Sequence, residues 1–212
     1  MTFDSFLHKI QEIKNTLPLG VEAQALMVPK ERIPYLYAED FLEHHPKRSA
    51  VMMLLFPKGE EISLLLIERA TYKGVHSGQV AFPGGKYEDS DLNLERTALR
   101  ETMEEVGILP KDIEVIKPFT TVYIPPSNFI VQPYLGIVKD TPRIIPSVDE
   151  VANTIAIPLH ALLDDTLIQQ VPMTTSYAQS ISVPAYVYEG YQIWGATAMM
   201  ISELKETLKL VF

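Results

Sequence analysis

Three carboxylates, Glu101, Glu104 and Glu105, stand at i, i+3 and i+4, directly behind Arg100. Residues three and four apart share one face of a helix. At about 100° of turn per residue, the three acids fall in one arc, and Ala98, Leu99, Thr102, Met103 and Val106 fall in the opposite one. An ordinary solvated face mixes its charges, whereas three like charges on one stripe repel unless a cation sits among them. Hard divalent ions prefer carboxylate oxygens. Arg100 is placed one turn ahead of Glu104 to hold that carboxylate in position. Gly107 closes the pattern where a helix C-terminus favours glycine. Ahead of the helix, the apolar run Val80-Ala81-Phe82 leads into the turn at Gly84-Gly85.

Together these residues resemble the box of the Nudix hydrolases: a glycine, a short loop, then Arg-Glu, an aliphatic residue, any residue, Glu-Glu, any residue and Gly. The match is Gly85 followed by Arg100-Glu101-Thr102-Met103-Glu104-Glu105-Val106-Gly107. Thr102 takes the aliphatic place, the loop to Arg100 is one residue longer than the general box, and Asp91 stands where Glu is usual. The longer loop and the Asp are similar to the coenzyme A pyrophosphatase branch. That branch has an upstream signature matched here by Leu65-Leu66-Ile67-Glu68-Arg69-Ala70 and by Gly78-Gln79-Val80-Ala81-Phe82-Pro83-Gly84-Gly85. Its second arginine is replaced by Gly74, with Lys73 alongside. Pro133-Tyr134-Leu135-Gly136, Asp149-Glu150-Val151 and Ile193-Trp194-Gly195-Ala196-Thr197-Ala198 extend the likeness from about Arg48 to about Ile201.

The resemblance implies an α/β/α sandwich with a mixed sheet and cleavage of a pyrophosphate linkage with the help of Mg²⁺ or Mn²⁺. It implies Glu101, Glu104, Glu105 and the Gly85 carbonyl as metal ligands, with Glu101, Glu104 and Arg100 as catalytic residues. One of the carboxylates could instead be the general base. Arg69, Lys73, Phe82 and Gly84 are the expected substrate-binding residues. Arg69 is the expected phosphate fork, because a guanidinium matches phosphate oxygens two at a time. Coenzyme A or a derivative is the expected substrate, cut to 3′,5′-ADP and a phosphopantetheine product. The alternatives are another nucleoside diphosphate-linked substrate, such as ADP-ribose or NADH, and a Nudix domain kept as a non-catalytic ligand sensor. The intact carboxylate set argues against the sensor.

A net charge of −9 argues against nucleic acid as a partner, since phosphate backbones need a basic surface. An acidic protein that handles an anionic small-molecule nucleotide needs a metal or a few placed cations. The absence of cysteine excludes a disulfide framework and a thiol nucleophile. The first residues carry no basic segment or long apolar run, and no run approaches about 18 apolar residues. A cytoplasmic protein with no membrane partner is therefore expected. The oligomeric state stays open, with a homodimer among the options.

The remaining candidates lack company. His76 and His44-His45 have no ligand set around them, and no His-Glu-x-x-His occurs. Ser77-Gly78 is not a nucleophile elbow, Gly74 and Gly78 do not make a phosphate loop of the Gly-Lys-Ser/Thr kind, and Trp194 reads as a core aromatic. Asp149-Glu150 could supply a distant base or simply cap a strand.

The pattern of apolar residues divides the chain into an N-terminal helix and wrapping segment, 1–46, and a hydrolase domain, 47–212. It predicts helices over 3–17, 94–106, 159–163 and 196–210. Strands are expected over 50–56, 62–67, 80–82, 113–123, 129–138, 150–157, 167–171 and 183–188. Residues 18–46, with Pro29, Pro34 and Pro46, read as irregular.

Overall fold

The structure, a computed structural model, describes residues 2–37, 40–71, 78–173 and 181–212. Along the chain come α1 (Phe3–Asn15), α2 (Gly20–Ala25), β1 (Lys47–Lys58), β2 (Glu61–Arg69), β3 (Val80–Ala81) and β4 (Gly84–Lys86). Then follow α3 (Leu94–Val106), β5 (Glu114–Pro118), β6 (Val122–Ile124), β7 (Phe129–Ile137), β8 (Val151–Pro158) and α4 (Leu159–Leu163). The chain ends with β9 (Ile168–Met173), β10 (Ile181–Tyr188), β11 (Tyr191–Ile193) and α5 (Gly195–Lys209).

The main sheet runs β3-β2-β1-β7-β5, with β4 also on β1, β6 on β7 and β8 on β2. It is mixed, because β1 and β7 pair in parallel from Lys47 against Phe129 to Leu55 against Ile137, while β2 and β4 pair antiparallel to β1. Alternation along β1 gives each face its own core. Ala50, Met52 and Leu54 pack with Ala98, Leu99 and Val106 of α3. Met53 and Leu55 pack on the other side with Phe6 and Ile13 of α1 and with Ile201, Leu204 and Leu208 of α5. The result is a helix–sheet–helix sandwich, the α/β fold that the sequence predicts. A separate antiparallel sheet, β11-β10-β9, was not expected as a unit.

Two polar clusters fasten the N-terminal segment. Glu203 of α5 is fully buried, and its carboxylate accepts from the Gly20 N–H at 3.0 Å, Gln24 Nε2 at 3.0 Å and the Thr120 N–H at 3.4 Å. A buried carboxylate needs such partners to be tolerated. Lys117 donates to the carbonyls of Ile13 and Thr16 at the end of α1. These contacts explain α2, which the sequence hides among prolines: its six residues are held by packing on α5 and by Glu203, not by an apolar period of their own. The strand expected over 113–123 is broken into β5 and β6. Between them the Phe119 N–H turns to the Pro133 carbonyl and the Thr120 N–H to Glu203.

Candidate active site

Helix α3 carries the carboxylates and has the bounds read from the sequence. Its Asn93 cap accepts the Arg96 N–H at 2.9 Å. Gly107 ends it at φ 74°, a left-handed conformation that glycine adopts without strain, and donates its N–H to the Met103 carbonyl. α3 lies over β1 and β4, which brings its acids against Gly84 and Gly85; the sequence reads these two as a turn, but they pair with β1 as the start of β4. A side chain at Gly84 would collide with the Ala50 carbonyl, and one at Gly85 would overlap the Glu101 carboxylate. Both positions need glycine for close approach.

The three carboxylates occupy different environments. Glu104 is half-exposed, Glu101 is mostly covered, and Glu105 is 2% exposed. Glu105 was expected in the same open arc as the others, yet it turns inward. Its Oε2 accepts the Gly84 N–H at 2.8 Å, and its Oε1 lies 3.4 Å from Arg69 Nη1. Met103, expected on the apolar face, is 38% exposed instead. Burial pushes Glu105 up to about 7, against the pull of the Gly84 N–H and Arg69. Burial also raises Glu101, although Arg100 pulls it down. The Glu150 carbonyl accepts the Ala70 N–H at 2.8 Å, next to Arg69, and the charge of Glu150 pushes both acids weakly in the same direction.

Arg100 is the hub. Nε and Nη2 each donate to Asp91 at 2.9 Å, Nη1 donates to Glu101 at 2.9 Å and Glu104 at 3.0 Å, and Nη2 also reaches the Lys86 carbonyl at 3.1 Å. A guanidinium has five N–H donors, and all five are committed. Asp91 is 7% exposed and also accepts from Thr97 Oγ1 and the Glu88 N–H. Arg100 and these donors hold its carboxyl well below the usual carboxylate range. The sequence flagged Asp91 only as a departure from a pattern; its grip on Arg100 depends on how the loop folds back.

Arg69 ends β2 at a register shift against β8, between Glu68 and Arg69. Such bulges re-aim side chains next to sites. Its Nε is buried without a hydrogen-bond partner among the described residues. Lys73 and His76 lie outside the described residues. Phe82, expected at the substrate, is 1% exposed and packs in the core with Val80 and Leu66, because the chain passes inward between β3 and β4. Trp194 packs against the small sheet.

As they stand, no three acidic or histidine side chains among the described residues converge as a ready metal cage. Arg100 and the Gly84 N–H occupy oxygens that a cation would share. The donor set nevertheless fits a hard divalent ion: carboxylate oxygens, a glycine backbone against which the Glu101 carboxylate packs closely, and a buried acid whose closest described cation is at 3.4 Å.

Residues 46–175, more than half of the chain, match the NUDIX domain family. The chain belongs to the Nudix hydrolases. A Citrobacter koseri protein described as an uncharacterized Nudix hydrolase, NudL, is 36% identical over 164 residues, covering 74% of this chain and 81% of that one. The NudL of an Enterobacter species is 34% identical over 163 residues, with the same coverage. Among solved structures, the M. smegmatis Nudix hydrolase RenU aligns with a TM-score of 0.51 at 18% identity, over 79% of this chain and 88% of that one. The NUDIX domain of Shewanella oneidensis NrtR, solved with ADP ribose, aligns at 0.51 and 14% identity, over 85% and 99%. At these identities the two structures speak for the fold alone. As a Nudix hydrolase the protein acts on a phosphoanhydride bond of a small nucleotide substrate, and the family generally needs a divalent metal. No helix among the described residues is long and apolar enough to cross a membrane.

Proposed function

We propose that this protein hydrolyses coenzyme A or its derivatives to 3′,5′-ADP and a phosphopantetheine product. The observation that carries this reading is the approach of Arg69 to Glu105 beside Gly84. Arg69 belongs to the upstream stretch that resembles the coenzyme A branch, and Glu105 belongs to the Nudix box. Their contact supports reading both stretches as one site. Asp149-Glu150-Val151, a further match, contributes Glu150 to the same surroundings.

In this reading Glu101, Glu104 and Glu105, with the Gly85 carbonyl, would hold Mg²⁺ or Mn²⁺. When bound, the ion supplies charge neutralisation at the phosphates and acidifies water. Arg69 binds phosphate oxygens through the edge not turned to Glu105, and its desolvated Nε makes that contact strong. Water adds to one phosphorus of the anhydride, the bridging P–O bond breaks, and a carboxylate of the Glu101–Glu104 pair accepts the water's proton. Arg100 touches no substrate; it fixes the two carboxylates. Gly84 serves through its backbone, by anchoring Glu105. Residues 1–46 act as a wrapping segment of the hydrolase domain 47–212, supported by the bonds of Glu203 and Lys117.

A substrate panel tests the reading. Coenzyme A should exceed ADP-ribose in kcat/KM by at least about tenfold, or roughly 1.4 kcal/mol. Preference for ADP-ribose would overturn the substrate while leaving the anhydride chemistry in place.

A further inference from the structure

Among the described residues, Arg48 is a cation near the site that the hydrolytic machinery leaves unused. Arg100 has no donor to spare, and Arg69 already faces Glu105. Arg48 has no carboxylate partner among the described residues; its guanidinium lies over the ring of Tyr87, 4.1 Å from the centroid. The register fixes where this pair stands. Ala50 faces Gly85 across β1 and β4, Ser49 faces Lys86, and the Tyr87 N–H continues the ladder by donating to the Arg48 carbonyl at 2.9 Å. Side chains alternate along a strand. Arg48 and Tyr87 therefore project from the same face as Ala50 and Gly85, which is the face that α3 and Glu101 cover. Two residues of extended chain separate Tyr87 from Gly85, about 7 Å at 3.3–3.4 Å per residue.

We propose that Arg48, held flat on Tyr87, is a subsite for a phosphomonoester carried by the substrate outside its anhydride. Stacking on an aromatic face leaves the N–H edges of a guanidinium open and restricts its rotamers, so a fork forms at lower entropic cost than on a free side chain. The protein carries net negative charge, and Glu101, Glu104 and Glu150 surround the anhydride site. A second phosphate one ribose away from the anhydride would be repelled there unless a cation met it. The spacing along β4 offers one. This inference rests on the anhydride site assigned above and adds a determinant of which nucleotide enters it.

Binding of 3′,5′-ADP and of 5′-AMP, measured by calorimetry in Mg²⁺ on the full chain, isolates the extra phosphate. The wild-type protein should bind 3′,5′-ADP at least about tenfold more tightly. Arg48→Ala should abolish that ratio with less than about a twofold change for 5′-AMP, and Arg48→Lys should restore only part of it, since an ammonium has no fork. Tyr87→Leu should weaken the ratio and Tyr87→Phe should keep it. Equal affinities in the wild-type protein, or an Arg48→Ala that weakens both nucleotides alike, would overturn the subsite. If coenzyme A is left intact while the Arg48-dependent ratio persists, the subsite stands and the coenzyme A reading alone falls.

Discussion

Arg100 grips Asp91 with two parallel hydrogen bonds, Nε and Nη2 each 2.9 Å from a carboxylate oxygen, and turns its remaining donors to Glu101, Glu104 and the Lys86 carbonyl. The loop between β4 and α3 is thereby tied to the helix that carries the acids. Because every donor is engaged, Arg100 acts on the reaction only through the carboxylates it holds.

Substitution of Arg100 should show this in the kinetics. Arg100→Ala should lower kcat by about 10–100-fold, the usual range for residues that orient metal ligands, with a smaller rise in KM. Asp91→Asn should follow the same pattern more mildly, since Arg100 keeps its other partners. Steady-state kinetics decide: a pure KM effect at Arg100 would place it against substrate.

The two buried carboxylates should tilt stability in opposite directions with pH. Asp91 titrates below its ordinary range in the folded state, so its contribution is present above about pH 4 and is lost as pH falls. Glu105 is pushed up from 4.5 to about 7 by burial. In the metal-free protein its contribution is full below about pH 4.5 and is lost as pH rises toward 7. Thermal melts in EDTA should show Glu105→Gln flattening the slope between pH 4.5 and 7, and Asp91→Asn flattening the acid limb. An unchanged wild-type slope in both variants would contradict these environments.

Gly85→Ala should strike activity harder than stability. The new methyl group would overlap the Glu101 carboxylate, and the displaced acid would leave the site. A kcat loss of about 100-fold or more is expected, with a change in Tm of a few degrees, because Gly85 sits on an edge strand of three residues. Circular dichroism melts and turnover measured on the same sample check it. Normal turnover would contradict the close packing of Gly85 and Glu101.

The sequence made α3 legible because period, cap and C-terminal glycine agree there, and its bounds at Leu94 and Val106 match the structure. It also made the arc of Glu101 and Glu104 legible. It could not show that Glu105 rotates inward, because that depends on the Gly84 N–H, which sheet pairing alone brings to it. The same reason hides the role of Asp91, whose partner lies nine residues away, and that of Glu203, whose partners on α2 lie more than 170 residues away. Phe82 reads as part of a substrate-facing motif, but its position inside a strand-to-strand crossing sends the ring into the core. Local spacing reports helices well, whereas contacts made across the sheet are set by register.

Whether this protein cleaves coenzyme A can be read by chromatography of a reaction containing the purified protein, coenzyme A and Mg²⁺. The expected outcome is 3′,5′-ADP and a phosphopantetheine product, loss of turnover in excess EDTA, and a fall in kcat of about 10³-fold in Glu104→Gln, roughly 4 kcal/mol of transition-state stabilisation. Intact coenzyme A in the presence of metal, or undiminished cleavage in EDTA or in the Gln variant, would contradict it.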